Sequence, residues 1–278
     1  FSKLSYNAEK DFQPVGLLVR FPMFLVVSNS VPAKNLKEFM AWAKGMPDGV
    51  NWASAGPGSP HHLVGELFRE QSGLKLTHVP YRGAAPAIQD VIGGQVSAMW
   101  IDSATVYPFL AGNKVRAIGV ASPQRVATMP DVPTISEQGL QGFEGFAWQG
   151  LVVPTGAPAD VVASFSKALQ TALADTRTKA RLQALGVEPM PGTAAQMGSF
   201  ARTEREKWGR VITKVGVKLD QPPSAAARQP SLAVQGGCEP QQLHRHIAQH
   251  RQQQAQRGQA DQQRRAQRLH PSAQGLHR

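Results

Sequence analysis

Cysteine is nearly absent from this sequence. Cys238 stands alone among 278 residues, which excludes an internal disulfide framework but does not separate cytoplasm from periplasm. No apolar run approaches the roughly 18 residues that a membrane-spanning helix needs. No basic-then-apolar leader opens the text, which starts at Phe1 rather than at a methionine, so a processed or partial chain is expected. A surplus of one charge sign is also lacking over most of the length. Residues 1–220 carry 22 basic and 17 acidic groups, an ordinary balance that gives no footprint for nucleic acid in the body.

The formal charge of +11 lives mainly in residues 221–278, which hold 8 Arg, no Lys, and only Glu239 and Asp261 on the acidic side. Apolar periodicity stops there, and Gln and Arg dominate in "QQLHRHIAQHRQQQAQRGQADQQRRAQR". Such text buries too little apolar surface to offset its ordering entropy, so a disordered tail is expected. Three readings fit it. It is a basic arm for nucleic acid or acidic lipid, a His-rich metal tract around His244, His246 and His250, or a GC-rich region translated past a frameshift. The abrupt change of composition favours the last.

What is present is a body that alternates strands and helices. "VGLLVRFPMFLVVS" (15–28) is a long apolar run interrupted by Pro22, which predicts two short strands or one broken one. "NLKEFMAWAKG" (35–45) places Leu36, Phe39, Met40 and Ala43 at helical spacing, with Gly45 as a C-cap. Strands are predicted at "VNWAS", "LTHVPY", "VSAMWID" and "VRAIGVAS", with helices at 60–72 (Leu63, Leu67 and Phe68 on one face), "APAIQDVIGG" and "VYPFLAGN". That rhythm indicates βαβ units and a parallel sheet covered on both faces. After residue 122 it loosens into a turn-rich "MPDVPTISEQG" with one short helix. A strand at 145–154 and three helices ending near Gly216 follow. The expected organisation is an α/β unit at 26–120 inside a second unit made from 1–25 and 121–220, with a cleft between them.

Three loops at predicted strand ends could carry function. "SAGPGSPHH" (54–62) combines glycines, which let backbone amides approach a ligand, with the positive end of a helix. Ser54 and Ser59 add hydroxyls. The Gly-Lys-Ser/Thr ending of a phosphate loop is missing, so a carboxylate or similar anion is the expected guest; Ser-Pro before a helix is equally a routine N-cap. His61 and His62 are sequence neighbours whose side chains diverge by about 100° on a helix, so they cannot chelate one metal together. One is expected to line the cleft and the other to face solvent. A Ser59–histidine hydrolase is a second possibility in principle, but no GxSxG elbow and no acid partner accompany it. Tyr81, Arg82 and Gly83 end the next strand, and Asp102 and Ser103 the one after. Asp102 reads either as a helix cap or as a partner for a ligand ammonium. In open parallel sheets ligands gather at such carboxyl ends.

These residues resemble a known family. "KDFQPVGLLVRFPMFLVVSNSVPAKNLKEFMAWAK", "NWASAGPGSPHHLVGELF", "THVPYRGAAPAIQDVIGGQVSAMWID", "VRAIGVASPQRVATMPDVPTISEQG", "FAWQGLVVPTGAP" and "KWGRVITKVGVKLD" are similar, in order and from about residue 4 to 220, to the Bug receptors of tripartite tricarboxylate transporters. The resemblance implies a class II periplasmic binding protein, a Venus flytrap of two α/β domains. It implies binding of a small carboxylate, dicarboxylate or acidic amino acid without catalysis or cofactor. It further implies a periplasmic location, a monomer, and possible permease partners in the membrane. By the same resemblance Ser54, Ala55, Gly58, Ser59 and His62 grip the ligand, while Tyr81, Gly83, Asp102 and Trp148 border the cleft. Family members begin with a signal peptide, a strand, a "PFxPGG"-like loop and a helix that supply the first domain's grip. The expectation is therefore an N-terminally incomplete first domain, weak binding, and a tail beyond Asp220 with no family counterpart.

Overall fold

A computed structural model describes residues 5–217, which belong to one compact unit; the expectations for the tail, including the reading of His244, His246 and His250, lie outside the described residues. The order of elements is β1 (Phe12–Ser28), α1 (Leu36–Lys44), β2 (Val50–Ser54), α2 (Pro60–Ser72), β3 (Leu76–Pro80), α3 (Ala84–Ile92), β4 (Ala98–Asp102), α4 (Ser103–Ala111), β5 (Val115–Val120), β6 (Phe146–Pro154), α5 (Ala159–Ala174), α6 (Thr176–Ala184), β7 (Glu188–Gly192) and α7 (Ala194–Val215). No described helix is long and apolar enough to cross a membrane.

The organising element is β1. Its 17 residues run without a break, which corrects the expectation of two short strands or one broken one at Pro22. Residues Phe12–Pro22 pair with β6, and Leu17–Arg20 also with β7. From Met23 the same strand pairs with β4 and then β5. Pro22 therefore sits where the ladder changes partners, the one place in a central strand where a missing N–H costs little.

The second half of β1 lies inside a five-stranded sheet of order β3-β2-β4-β1-β5. β2 runs parallel to β3 and β4, whereas β1 is antiparallel to β4 and β5. The expected all-parallel sheet is thus corrected to a mixed one. β1 enters from outside the alternating βα segment, with no helical crossover linking it to β4, so nothing obliges it to share their direction.

Both faces of this sheet are covered, as period-two alternation demands. Met23, Leu25 and Val27 join Trp52, Trp100, Leu36, Phe39 and Phe68 in one core. Phe24 and Val26 join Ala53, Met99, Ile101, Ile88 and Val106 in the other. On α2 the buried apolar face is Val64, Leu67 and Phe68, with Leu63 only half-buried. The helix lies so near the sheet that a methyl group on Gly65 would come within 2.1 Å of the Trp52 ring.

Two smaller expectations fail. The segment 129–139 forms turns and a single bridge from Thr134 to Val120, and no helix. The sequence signal for β7 was missed, because "EPMPG" carries two prolines and no alternation; it forms as a short strand beside the first half of β1.

Candidate functional site

β2 and β4 flank one another in parallel, with β3 beside β2, so their carboxyl ends share one edge of the sheet. In register this edge meets β1 at Met23, opposite Asp102, next to the Pro22 switch. Three helices start there, and named bonds tie their loops together. The Tyr81 amide donates to the Ser54 carbonyl at 3.0 Å and the Gly83 amide to the Ala55 carbonyl at 3.1 Å. His61 Nε2 lies 3.3 Å from Asp102 Oδ2. The sheet edge thus gathers Ser54, Ala55, Gly58, Ser59, His62, Tyr81, Gly83 and Asp102.

Each residue has a definite occupation. Ser59 is the N-cap of α2: its hydroxyl donates to the Gly56 carbonyl (2.7 Å) and accepts from the His62 amide (3.3 Å). Ser54 is fully buried, and its hydroxyl lies 2.6 Å from His78 Nε2. Asp102 caps α4, with Oδ1 accepting the Thr105 amide at 2.9 Å. The capping alternative for Asp102 is therefore met in the fold. Burial pushes its carboxyl up, but hydrogen bonds from His61 and Thr105 outweigh this and hold it below the usual carboxylate range. The Tyr81 hydroxyl donates to Asp90 at 2.6 Å, and burial together with that carboxylate pushes its pKa up. Arg82 is exposed and pairs with no carboxylate among the described residues. Trp148 stands apart, on β6 opposite Arg20 and edge-on to Phe200 at 5.1 Å. Among the described residues it makes no hydrogen bond or ring contact with the loops.

The histidines require a correction. Neither faces solvent, for His61 is 9% exposed and His62 is 4% exposed. His61 is covered where it meets Asp102 at the end of β4, and His62 where it meets His78 of β3. His62 stacks on His78 with ring centroids 3.9 Å apart and planes within 9°. His78 also packs over Trp52 at 4.6 Å. Burial, then the neighbouring His62, drives the His78 pKa down to about 3. His78 escaped sequence reasoning, although its place across the ladder from Trp52 follows from counting the two strands in register.

A serine–histidine pair does form, between Ser54 and His78, but it is buried and no carboxylate orients the imidazole. Nucleophilic catalysis has no purchase on it. No group of three or more potential metal ligands occurs among the described residues. What the edge offers instead is backbone. The amides of Ala55 and His61 have no hydrogen-bond partner among the described residues. At α3 the N-cap is Gly83, with φ 106° and no side chain to cap, so the amides of Ala84 and Ala85 are also unpaired. Unpaired amides at helix starts suit an anion.

Residues 1–217 match the model of the tripartite tricarboxylate transporter family receptor. The chain belongs to that family. A curated relative, the UPF0065 protein in the tcbD-tcbE intergenic region of a Pseudomonas strain, is 33% identical over 80% of this chain and 66% of its own length. Protein BugT of Bordetella pertussis is 28% identical over 78% of this chain and 66% of its own. The chain thus spans just under two-thirds of the length of these family members. Among solved structures, Rpa4515 of R. palustris with adipate superposes with a TM-score of 0.74 at 28% identity, covering 78% of this chain and 73% of that one. MatC of Rhodopseudomonas palustris, with bound malate, gives 0.68 at 35% identity, covering 76% and 73%. The periplasmic binding protein BugD gives 0.69 at 34%, covering 77% and 72%. The mixed α/β fold is that of the family's periplasmic binding proteins.

Proposed function

We propose that this chain is part of a periplasmic solute receptor that grips a small carboxylate, without chemistry, for delivery to membrane permease subunits. The observation that carries this reading is the sheet edge at which the unpaired amides of Ala55, His61, Ala84 and Ala85 converge, with the exposed Arg82 in the same loop as the last two. A carboxylate needs such donors, and a metal or nucleotide site would need others. Adipate and malate in two similar proteins support a dicarboxylate, or an acidic amino acid of similar span, as the ligand class. Residues 26–120 form one lobe in this reading and the flanking segments contribute to the other. The cleft in this reading opens at the Pro22 switch. The receptor acts as a monomer.

Titration of the ¹⁵N-labelled chain with malate, adipate and glutamate tests this. Saturable shifts centred on the Ala55, His61, Ala84 and Ala85 amides are expected, and the diamide of malate should produce none. Equal shifts with the diamide, or none at these four amides with any carboxylate, would overturn the reading.

A further inference from the structure

The loop between β2 and α2 contains two glycines in left-handed backbone conformations, Gly56 at φ 126° and Gly58 at φ 74°. These are its freest joints, and both are tied to imidazoles. The Gly58 amide donates to His62 Nδ1 at 3.0 Å. The Gly56 amide donates to Ser54 Oγ at 3.1 Å, which in turn lies 2.6 Å from His78 Nε2. The two imidazoles are the stacked pair, parallel to within 9° at 3.9 Å, and Trp52 lies beneath them.

We infer that His62 and His78 are positioning residues that set the shape of the ligand loop, and that His62 does so by accepting the Gly58 amide rather than by touching ligand. The inference rests on the reading of this loop as a carboxylate grip. It reassigns two residues of that grip, since with their polar atoms occupied neither Gly58 nor His62 has a donor to offer. Ala55 and His61 are left as the amides that reach the guest.

The arrangement dictates a protonation state. Nδ1 of His62 accepts, so its proton is on Nε2, which faces Glu66 Oε1 at 3.6 Å. Glu66 is in turn paired to Arg69 at 2.6 Å. Burial pushes the Glu66 carboxyl up, but bonds from His62 and Arg69 overcome this and keep it below its ordinary range. A second proton on His62 would occupy Nδ1, oppose the Gly58 N–H, and release the loop at that joint. The groups that face His62 are therefore Glu66 on its own helix, with Arg69 behind it, and His78 from β3. His78 is itself kept neutral by burial.

A nitrogen–nitrogen hydrogen bond can be detected directly, as a scalar coupling between the Gly58 amide nitrogen and His62 Nδ1 in the full labelled chain without ligand. The coupling is expected at pH 8 and should be absent in His62→Leu, which has no acceptor at that position. His62→Leu should speed exchange of the Gly58 amide about tenfold, the loss of one neutral hydrogen bond. His62→Asn, whose Oδ1 replaces the acceptor, should keep exchange near wild type. Malate affinity should fall in His62→Leu and stay near wild type in His62→Asn. No coupling at pH 8, or unchanged Gly58 exchange in His62→Leu, would overturn the inference. If His62→Leu does not fold, the coupling in wild type and Gly58 exchange in His62→Asn still decide it. A coupling without any malate response would leave the inference standing and sink the receptor reading.

Discussion

Residues 12–22 and 23–28 are parts of one strand with similar apolar content, yet they live in different surroundings. From Pro22 to Ser28 every residue is buried, with a packed core on each face. From Phe12 to Phe21 burial alternates with partial exposure. The helices repeat the contrast. α2 buries seven residues, whereas α5 buries only Leu173 and α6 none. On α5, Val161 is 38% and Phe165 50% exposed. A groove of about 490 Å³ opens between Leu17, Met190, Pro191 and Phe200 on that side. Apolar sequence alone does not make a core; it does so where elements stand on both sides of it. Stability should accordingly be concentrated in the five-stranded portion.

The largest expected effect tests that concentration at its centre. Trp100 is fully buried between Phe68 and Phe143, so Trp100→Ala should cost about 3–5 kcal/mol in urea denaturation. A loss below about 1 kcal/mol would place the core elsewhere.

An intermediate effect comes from His78. Its pKa is near 3 when folded, against about 6.5 unfolded. Between these values the unfolded chain holds the extra proton, so stability is full above about pH 6.5 and falls as pH drops toward 3. The slope should approach about 1.4 kcal/mol per pH unit below pH 6, read from urea midpoints at pH 7.5, 6 and 5. His78→Phe should flatten it. A slope unchanged in the variant would assign the acid sensitivity to other groups.

The smallest effect lies on the open side. Phe165→Ala should shift stability by no more than about 0.5 kcal/mol, measured in the same denaturation series. A loss comparable to that at Trp100 would erase the contrast between the two portions.

Much of the fold was legible because local signals agreed with tertiary need. The helix at 36–44 follows from Leu36, Phe39 and Ala43, all buried, and the Ser59-Pro60 start of α2 from capping chemistry alone. The antiparallel course of β1 was not legible, since direction within a sheet is decided by partners more than 70 residues away rather than by the strand's own text. β7 was hidden by its prolines. At the site, glycines and serines announce a loop, whereas its pairing with the stacked imidazoles of His62 and His78 follows only from the tertiary fold. One of His61 and His62 reads as solvent-facing because the burial of the pair depends on His78 and Asp102, which lie 16 residues beyond His62 and 41 beyond His61.

The same strand has a consequence for synthesis. Among the described residues, β1 pairs with strands that come later in the chain: β4 from Ala98, β5 from Val115, β6 from Phe146 and β7 from Glu188. A ribosome therefore releases Phe12–Ser28 before any of these partners exists, and its open backbone edges wait for them through several further elements. Long-range pairing of this kind folds slowly and leaves a sticky nascent segment in the meantime. The production yield of this chain should thus respond to holdase chaperones that shield extended apolar segments, more than to agents acting on its already assembled helices.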